Sequence, residues 1–221
     1  MSALVPIWLK LDAECVLVVG GGNIARQKLH GLAPTGARVR LVAPQIAAGL
    51  AAAFPPERLE RHARAFRVHD LRGVALAFGA TDDPAVNRRV VEAARRRGIP
   101  ANAVDDPAFC DFYTPAVLRR HGLELAISSG GGFPGLTRAV REVLEAWLPP
   151  EHEDALAGLF ALRRALLASP LGPDERGRVL RELARRIAAD YLQPAPADPD
   201  SATTAPLPDP TLATHPAQEH P

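Results

Sequence analysis

A group of small residues directly after a short apolar run is the part of the chain best suited to chemistry. Gly20, Gly22 and Ala25 have the spacing G-x-G-x-x-A, and the preceding residues, Cys15–Val19, are apolar and predict a strand. In this pattern the first small residue permits a tight turn, the second lets the backbone approach a pyrophosphate, and the third allows close helix packing. The N–H groups that begin the helix would face the anion. The spacing therefore favours a dinucleotide site over a glycine turn that binds nothing.

The end of the second predicted strand, Arg38–Ala43, bears on which dinucleotide binds. NAD sites usually place Asp or Glu there to bind the ribose hydroxyls, whereas this strand continues into Pro44. Arg38 and Arg40 could suit the 2′-phosphate of NADP, but both lie inside the strand rather than at its carboxyl end. We therefore expect NAD, with NADP as the alternative. The cofactor residues predicted at these two turns, besides the small residues above, are Asn23, Ile24, Ala43 and Pro44.

Polar residues also follow the fourth predicted strand, Val74–Ala80. Thr81 and Asp82 come at its carboxyl end, where open α/β sheets bind ligands, so we expect them to line the cofactor crevice. Asp83 has two interpretations, because an Asp directly before Pro84 is equally suited to cap the next helix.

The fifth predicted strand, Ile99–Val104, ends in residues that could meet both a cofactor and a substrate. Asn102 is assigned to the cofactor crevice. Asp105 follows the strand, and a carboxylate there could accept a proton once it is partly desolvated. Asp-Asp-Pro is also a common turn, and the residues alone favour the turn. The loop Ser128–Gly132 offers N–H groups and hydroxyls that could hold carboxylates, or it only connects a strand to a helix.

The elements that must position these residues alternate between strand and helix. The predicted strands are Cys15–Val19, Arg38–Ala43, Leu59–Phe66, Val74–Ala80 and Ile99–Val104, and the predicted helices are Ile24–Ala33, Ala47–Phe54 and Pro84–Arg97. This alternation predicts an α/β fold, a Rossmann-type doubly wound parallel sheet.

The pattern changes after residue 112. Two strand-like runs, Tyr113–Arg120 and Leu123–Ser129, are joined by His121 and Gly122 and predict a hairpin. The helices predicted after it are Gly135–Trp147, Glu151–Leu167 and Pro173–Ala189. We interpret residues 1–112 as an NAD-binding domain, 113–150 as a small α+β dimerisation unit, 151–192 as a helical domain and 193–221 as a tail. A homodimer is expected.

Composition and charge limit the classes of partner. The chain has 221 residues, 47% hydrophobic and 23% charged, which is typical of a globular protein. Its net charge is +1, and the −4 carried by the tail, Gln193–Pro221, leaves +5 on the rest, which suits an acidic ligand. The tail is rich in Pro and Ala without aromatic residues and is predicted to be disordered.

Targeting and metal motifs are not found in the sequence. The N-terminus does not have the pattern of a signal peptide and no apolar run reaches membrane-spanning length, so we expect a cytoplasmic protein without membrane or nucleic-acid partners. Cys15 and Cys110 fit neither a disulfide framework nor a zinc motif. No Cys/His cluster predicts a permanent metal site.

Three blocks of the chain, taken in order, carry a resemblance to a known family. They are Gly20–Lys28, Ala80–Asn87 and Asn102–Asp105, and the similarity continues from Pro6 to about Tyr191. On these residues the chain resembles the precorrin-2 dehydrogenase and sirohydrochlorin ferrochelatase family, the module that begins siroheme synthases. The resemblance implies NAD-dependent removal of a hydride and a proton from precorrin-2, a tetrapyrrole, which gives sirohydrochlorin. In many members, insertion of Fe²⁺ then yields siroheme.

The resemblance also implies roles for individual residues. Asp105 matches the family's catalytic aspartate, and Ser129, with Gly130 and Arg138, is expected beside the substrate. The chain departs from the family at Gly132 and Phe133, because the family commonly has the polar pair Thr-Ser or Lys-Ser before the proline that corresponds to Pro134. The basic residues that could bind substrate carboxylates are Arg26, Lys28, Arg119, Arg120, Arg138 and Arg141. Two alternatives stay open: a regulatory module that binds NAD without chemistry, and a dehydrogenase of another anionic substrate.

Overall fold

The computed structural model describes residues 4–120, 122–148 and 153–191. Its main sheet has five strands: β1 Cys15–Val19, β2 Arg38–Ala43, β3 Leu59–Ala63, β4 Val74–Gly79 and β5 Ala101–Ala103. Neighbouring strands pair in parallel in the order β3-β2-β1-β4-β5. The α-helices that connect them are α1 Asn23–Leu32 and α2 Pro84–Arg95. The predicted α/β class with a parallel sheet is confirmed.

Successive residues of β1 pack alternately into two hydrophobic cores, one on each face of the sheet. Val16 and Val18 belong to the cluster that contains the buried side of α1. Leu17 and Val19 belong to the cluster that contains the buried side of α2. Because side chains alternate along a strand, the two helices cover opposite faces, and the sheet is doubly wound as predicted. Fully burying one such side chain stabilises the fold by about 1.5–3 kcal/mol.

The helix predicted over Ala47–Phe54 is wrong. In this segment only Leu50–Ala53 is helical, and it forms a short 3-10 helix. Gly49, just before it, adopts a left-handed φ of +77°, which an α-helix cannot accommodate. The N–H of Ala47 instead donates a 2.9 Å hydrogen bond to the carbonyl of Gly21. The segment after β2 is therefore held against the glycine turn.

In the main sheet the third and fifth strands are each three residues shorter than predicted, and the fourth ends one residue earlier, at Gly79. The third ends at Ala63 rather than Phe66, because the N–H of Arg64 turns back to the carbonyl of His62 and Phe66 enters the core on the α2 side. The fifth keeps only Ala101–Ala103 in the sheet.

The predicted hairpin and three C-terminal helices also form. They are β6 Ala116–Arg120, β7 Leu123–Ile127, α3 Pro134–Trp147, α4 Glu153–Leu167 and α5 Pro173–Tyr191. The described residues divide into two compact units, residues 4–117 with 126–141 and residues 118–125 with 142–191. In the second unit α4 packs against α5. There, Arg120 Nε donates a 2.9 Å hydrogen bond to the carbonyl of the buried Leu148.

Two of the sequence predictions concern residues that the structure does not describe. The turn residue His121 and the disordered tail, Gln193–Pro221, lie outside the described residues. Among the helices within those residues, none has the length and apolar character needed to cross a membrane.

Candidate functional site

The turn between β1 and α1 contains three glycines with different constraints. A Cβ on Gly20, whose φ is +143°, would collide with the carbonyl oxygen of Ala80, and one on Gly21 would collide with the carbonyl oxygen of Gln45. A Cβ on Gly22 would meet no atom within 4 Å. The fold itself therefore requires glycine at the first two positions, whereas the third faces open space.

The start of α1 is suited to an anion. Gly22 is the N-cap of the helix, its φ of −103° is open to any residue, and no side chain caps the first turn. That turn also contains no acidic residue. Its N–H groups carry the positive end of the helix dipole and have no side-chain acceptor, which fits the pyrophosphate of a dinucleotide. Ala25 lies behind the turn, fully buried, where its small side chain lets α1 pack on the sheet.

A cavity of about 790 Å³ opens at the carboxyl ends of the strands, and we call it the glycine cavity. It is lined by Gly20–Ile24, Ala43–Ala47, Ala80–Asp82, Val104 and Asp105. It brings together most of the predicted cofactor residues, namely Gly20, Gly22, Asn23, Ile24, Ala43, Pro44, Thr81 and Asp82. The sequence analysis missed Gly21, the segment Gln45–Ala47, Ala80 and Val104, although all of them end strands at this same edge or follow them.

Asn87 fixes the loop that follows β4. Its buried side chain accepts hydrogen bonds from Thr81 N at 3.0 Å and Thr81 Oγ1 at 2.8 Å, and it donates to the Thr81 carbonyl at 2.9 Å. Asp83 caps α2, because its Oδ1 accepts from Ala85 N at 2.8 Å. The helix-capping interpretation of Asp83 is confirmed, and Asp82 remains exposed at the cavity.

A second cavity of about 210 Å³ adjoins Asp105, and we call it the serine cavity. It is lined by Lys28, Asn102–Pro107, Cys110, Tyr113–Pro115, Ile127–Ser129, Gly131, Pro134 and Thr137. Val104 and Asp105 line both cavities. Asn102 lies on the serine cavity rather than on the glycine cavity, where its Nδ2 donates to the carbonyl of Phe112 at 2.8 Å.

The two neighbouring carboxylates after β5 differ in their partners. Asp106 forms a 2.8 Å ion pair with Arg88 of α2. Asp105 is exposed, and in the described part of the chain no residue donates a hydrogen bond to its carboxylate. Its backbone is left-handed, with φ of +62°, a conformation that costs most residues free energy and that Asp tolerates better than most. Asp105 thus lines both cavities with a carboxylate that accepts no hydrogen bond from the described residues.

Lys28 contributes a cation to the serine cavity. Its Nζ donates a 2.8 Å hydrogen bond to Thr114 Oγ1 and lies 5.2 Å from the centre of the Phe78 ring. Burial lowers the pKa of Lys28 below its ordinary value, and the charge of the nearby Asp105 carboxylate offsets part of that change. Burial also raises the pKa of the Cys110 thiol, which keeps it protonated at neutral pH.

The loop before α3 presents one of the predicted substrate residues to this cavity. Ser129 lines it, and Ser129 Oγ accepts a 2.9 Å hydrogen bond from Phe133 N. Gly130 and Arg138 do not line the cavity. Gly131 does, and its φ of +83° and its closeness to the Tyr113 ring leave no room for a side chain. The loop is thus shaped by local hydrogen bonds and packing.

Arg119 and two histidines have partners outside the two cavities. Arg119 pairs with Glu124 at 2.8 Å in the second unit. His62 pairs with Glu60, and His69 lies 3.4 Å from Asp70. Across residues 4–120, 122–148 and 153–191, no group of three or more His, Cys, Asp or Glu side chains is arranged to hold a metal ion.

Known proteins show what this arrangement is similar to. A family model of NAD(P)-binding domains matches residues 7–116. The siroheme synthase of Pseudomonas entomophila (strain L48) is 44% identical over 156 residues, which cover 71% of this chain and 34% of that protein. The siroheme synthase of Azotobacter vinelandii (strain DJ / ATCC BAA-1303) is 42% identical over 173 residues, or 78% of this chain and 37% of that protein.

One solved structure, of a shorter protein, is matched by this chain over its entire length. The structure titled "SirC, precorrin-2 dehydrogenase" has a TM-score of 0.68 and 25% identity, and the match covers 84% of this chain and 100% of that one. The chain spans little more than a third of the length of the siroheme synthases above. Together with the glycine cavity, these matches show that the chain carries an NAD(P)-binding domain.

Proposed function

Since this chain belongs to the precorrin-2 dehydrogenase and sirohydrochlorin ferrochelatase family, we propose that it oxidises precorrin-2 to sirohydrochlorin with NAD. One observation carries the proposal: Val104 and Asp105 form a wall common to the glycine cavity and the serine cavity. A dehydrogenase needs a cofactor and a substrate in adjoining spaces, with an acid–base group where they meet.

The oxidation removes two electrons and two hydrogens from the macrocycle, one as a hydride and one as a proton. A dinucleotide held by the residues of the glycine cavity would supply the nicotinamide ring that accepts the hydride. Asp105 takes the proton, because its carboxylate is exposed, has no hydrogen-bond donor among the described residues and stands at the junction. Substrate that fills the serine cavity excludes water from this carboxylate and so increases its basicity.

Charge in the glycine cavity favours NAD over NADP. None of the described residues that line it is Lys or Arg, whereas Asp82 does line it. Arg38 and Arg40 line a different cavity, with Cys15 and Gly73 at the other ends of the strands, and Arg40 is paired with Glu60. A 2′-phosphate would therefore find no cationic partner in the glycine cavity.

Iron insertion is a second activity that we propose for the same site. The relatives are named siroheme synthases. Chelation requires a base that removes pyrrole N–H protons while Fe²⁺ enters as a substrate, and Asp105 is the free carboxylate placed to do so. In this scheme dehydrogenation and chelation share one proton acceptor.

A homodimer through residues 113–150 is part of the proposal, which keeps the domain boundaries predicted from the sequence. On α3 the apolar side chains Leu136, Val140, Val143 and Trp147 are between 37% and 53% exposed. They recur every three or four residues, so they share one face of the helix. A second copy of the chain would remove this face from water. The free thiols Cys15 and Cys110 suit the cytoplasm, where we place the protein.

Turnover of precorrin-2 tests the function directly. The purified chain is mixed with precorrin-2 and NAD under anaerobic conditions, and NADH is followed by absorbance while sirohydrochlorin is identified by its spectrum. We expect stoichiometric NADH and sirohydrochlorin, and slower turnover with NADP. Binding of NAD without turnover would instead identify a regulatory module. Turnover of a different anionic substrate alone would identify a different dehydrogenase.

A further inference from the structure

Lys28 is a partly buried cation that forms no ion pair with a carboxylate of the described residues, although the charge of Asp105 acts on it from a greater distance. It lies on α1, eight residues after Gly20 of the glycine turn, and it lines the serine cavity. Within the described residues, Nζ forms no ion pair, and its hydrogen bond to Thr114 Oγ1 uses one of its three donors. Two N–H donors are left for a group in the cavity.

The surroundings of Lys28 make an anionic ligand favourable. Burial lowers the pKa of Lys28, so its ammonium has lost hydration that the protein restores only in part. The face of the Phe78 ring, 5.2 Å away, gives a weak cation–π attraction and no hydrogen bond. A ligand carboxylate would replace the lost hydration with charge-assisted hydrogen bonds.

The other basic residues considered for the substrate do not share this position. Arg119 and Arg120 belong to the second unit and bind Glu124 and the carbonyl of Leu148. Arg26, Arg138 and Arg141 do not line the serine cavity. Among the described residues that line it, Lys28 is the only Lys or Arg.

We propose that Lys28 and Thr114 form a subsite that binds one peripheral carboxylate of the tetrapyrrole. The inference rests on the proposed function, because it assumes an acidic macrocycle in the serine cavity. The carboxylate accepts hydrogen bonds from Lys28 Nζ, while Thr114 Oγ1 holds Nζ in place. Lys28 and Asp105 line the same cavity, so the contact positions the macrocycle with its reacting edge toward Asp105. Lys28 thus acts in binding, and Asp105 in proton transfer.

Two charge-removing variants test the subsite. Lys28→Met keeps an unbranched side chain that is one atom shorter and removes the charged group. Arg89→Met removes one positive charge from an exposed position of α2 that lines neither cavity, and it serves as the matched control. The readouts are KM and kcat for precorrin-2, the dissociation constant for sirohydrochlorin by absorbance titration, and the dissociation constant for NAD.

We expect Lys28→Met to raise KM for precorrin-2 and the dissociation constant for sirohydrochlorin by about 10-fold or more, the effect of losing a charged hydrogen bond. kcat and NAD binding should change little, since the contact exists before and during the reaction. Lys28→Arg should recover part of the affinity, and Arg89→Met should behave as the unmodified chain.

The outcomes separate this inference from the function on which it rests. An unmodified chain that neither binds sirohydrochlorin nor oxidises precorrin-2 refutes both. Normal turnover by the unmodified chain, combined with an unchanged KM in Lys28→Met, refutes the subsite alone. A fall in kcat at constant KM also refutes it, because Lys28 would then act on the chemical step.

A second variant keeps the inference testable if Lys28→Met fails to bind NAD. Thr114 is exposed, so Thr114→Val should fold normally while it removes the hydrogen bond to Nζ. We expect KM for precorrin-2 to rise about 3-fold, consistent with one hydrogen bond to a charged group that is partly replaced by water. An unchanged KM in this variant would overturn the subsite.

Discussion

The buried side chain of Asn87 forms three hydrogen bonds with Thr81, two accepted and one donated, at 2.8–3.0 Å. Asn87 lies on α2, and Thr81 follows β4 at the edge of the glycine cavity. Gly79 permits this approach, because a Cβ there would lie 2.8 Å from Asn87 Cα. The loop that borders the glycine cavity is therefore held by a helix as well as by its own hydrogen bonds between Thr81 and Asp83.

Replacing Asn87 with Ala should loosen this loop. The change leaves Thr81 groups without their partners, so we expect a loss of about 1–3 kcal/mol in the free energy of unfolding. NAD affinity should fall several-fold because Thr81 lines the glycine cavity. Urea unfolding and NAD titration measure the two effects. The exposed Glu92→Ala on the same helix is the control, and equal behaviour of the two variants would contradict the role of Asn87.

Gly22 and Gly20 should respond differently to substitution. Gly22→Val adds a side chain where the structure has open space, so the fold should survive while pyrophosphate approach and NAD binding are lost. Gly20→Ala should destabilise the protein itself, since its Cβ meets the Ala80 carbonyl. Circular dichroism with NAD titration distinguishes the two effects. Undiminished NAD affinity in a folded Gly22→Val protein would mean that the dinucleotide does not bind here.

Asp105→Asn should abolish most catalysis. The substitution keeps size and polarity but removes the base, so precorrin-2 turnover should fall roughly 10²-fold or more while NAD binding changes little. Iron insertion should fall in the same variant if it shares the proton acceptor. Asp106→Asn is the neighbouring control, because Asp106 is paired with Arg88. Near-normal dehydrogenation by Asp105→Asn would show that Asp105 is only a turn residue.

The exposed face of α3 should hold the dimer together. Val143 is 53% exposed at the middle of the apolar face, and a glutamate there would place a charge in the proposed interface. We expect the unmodified chain to sediment as a dimer at micromolar concentration and Val143→Glu as a monomer. Arg89→Glu, on α2, should remain dimeric. A monomeric unmodified chain would count against the dimer.

The buried Asp70 should make stability depend on acid pH. Burial by itself would raise the pKa of Asp70, but hydrogen bonds from Arg64 and from Arg67 N outweigh it and hold the pKa below its ordinary value. A carboxyl whose pKa is lower in the folded state stabilises the fold above the unfolded pKa, and this stabilisation is lost as pH falls through the folded pKa.

We therefore expect the unmodified chain to lose stability as the pH drops below about 4. Asp70→Asn should be less stable at pH 7, and its difference from the unmodified chain should shrink in acid. Urea unfolding between pH 7 and pH 3 measures the free energy of unfolding of the unmodified chain and of Asp70→Asn. A constant difference in stability between Asp70→Asn and the unmodified chain across this pH range would refute the assignment.

Much of the lining of the glycine cavity could be predicted from local sequence. An apolar strand followed by Gly20 and Gly22 is a short-range pattern, and parallel strands place all their carboxyl ends at one edge, so Thr81 and Asp82 were assigned without coordinates. The segment after β2 was misassigned because Ala47–Phe54 has the composition of a helix, whereas Gly49 and the hydrogen bond from Ala47 to Gly21 prevent one.

Contacts between residues far apart in the sequence decided which charged side chains are unpaired at the cavities. Asp105 and Asp106 are adjacent and chemically equal in the sequence, but Arg88, eighteen residues away, binds Asp106 and leaves Asp105 free. Lys28 and Thr114 are 86 residues apart, and their contact sets which basic side chain enters the serine cavity. The sequence determined the sheet, the glycine turn and the edge where ligands bind, since these follow from residue type and short spacing. Only the tertiary structure decided which carboxylate and which cation are left unpaired, because a partner supplied by another element cannot be read from neighbours along the chain.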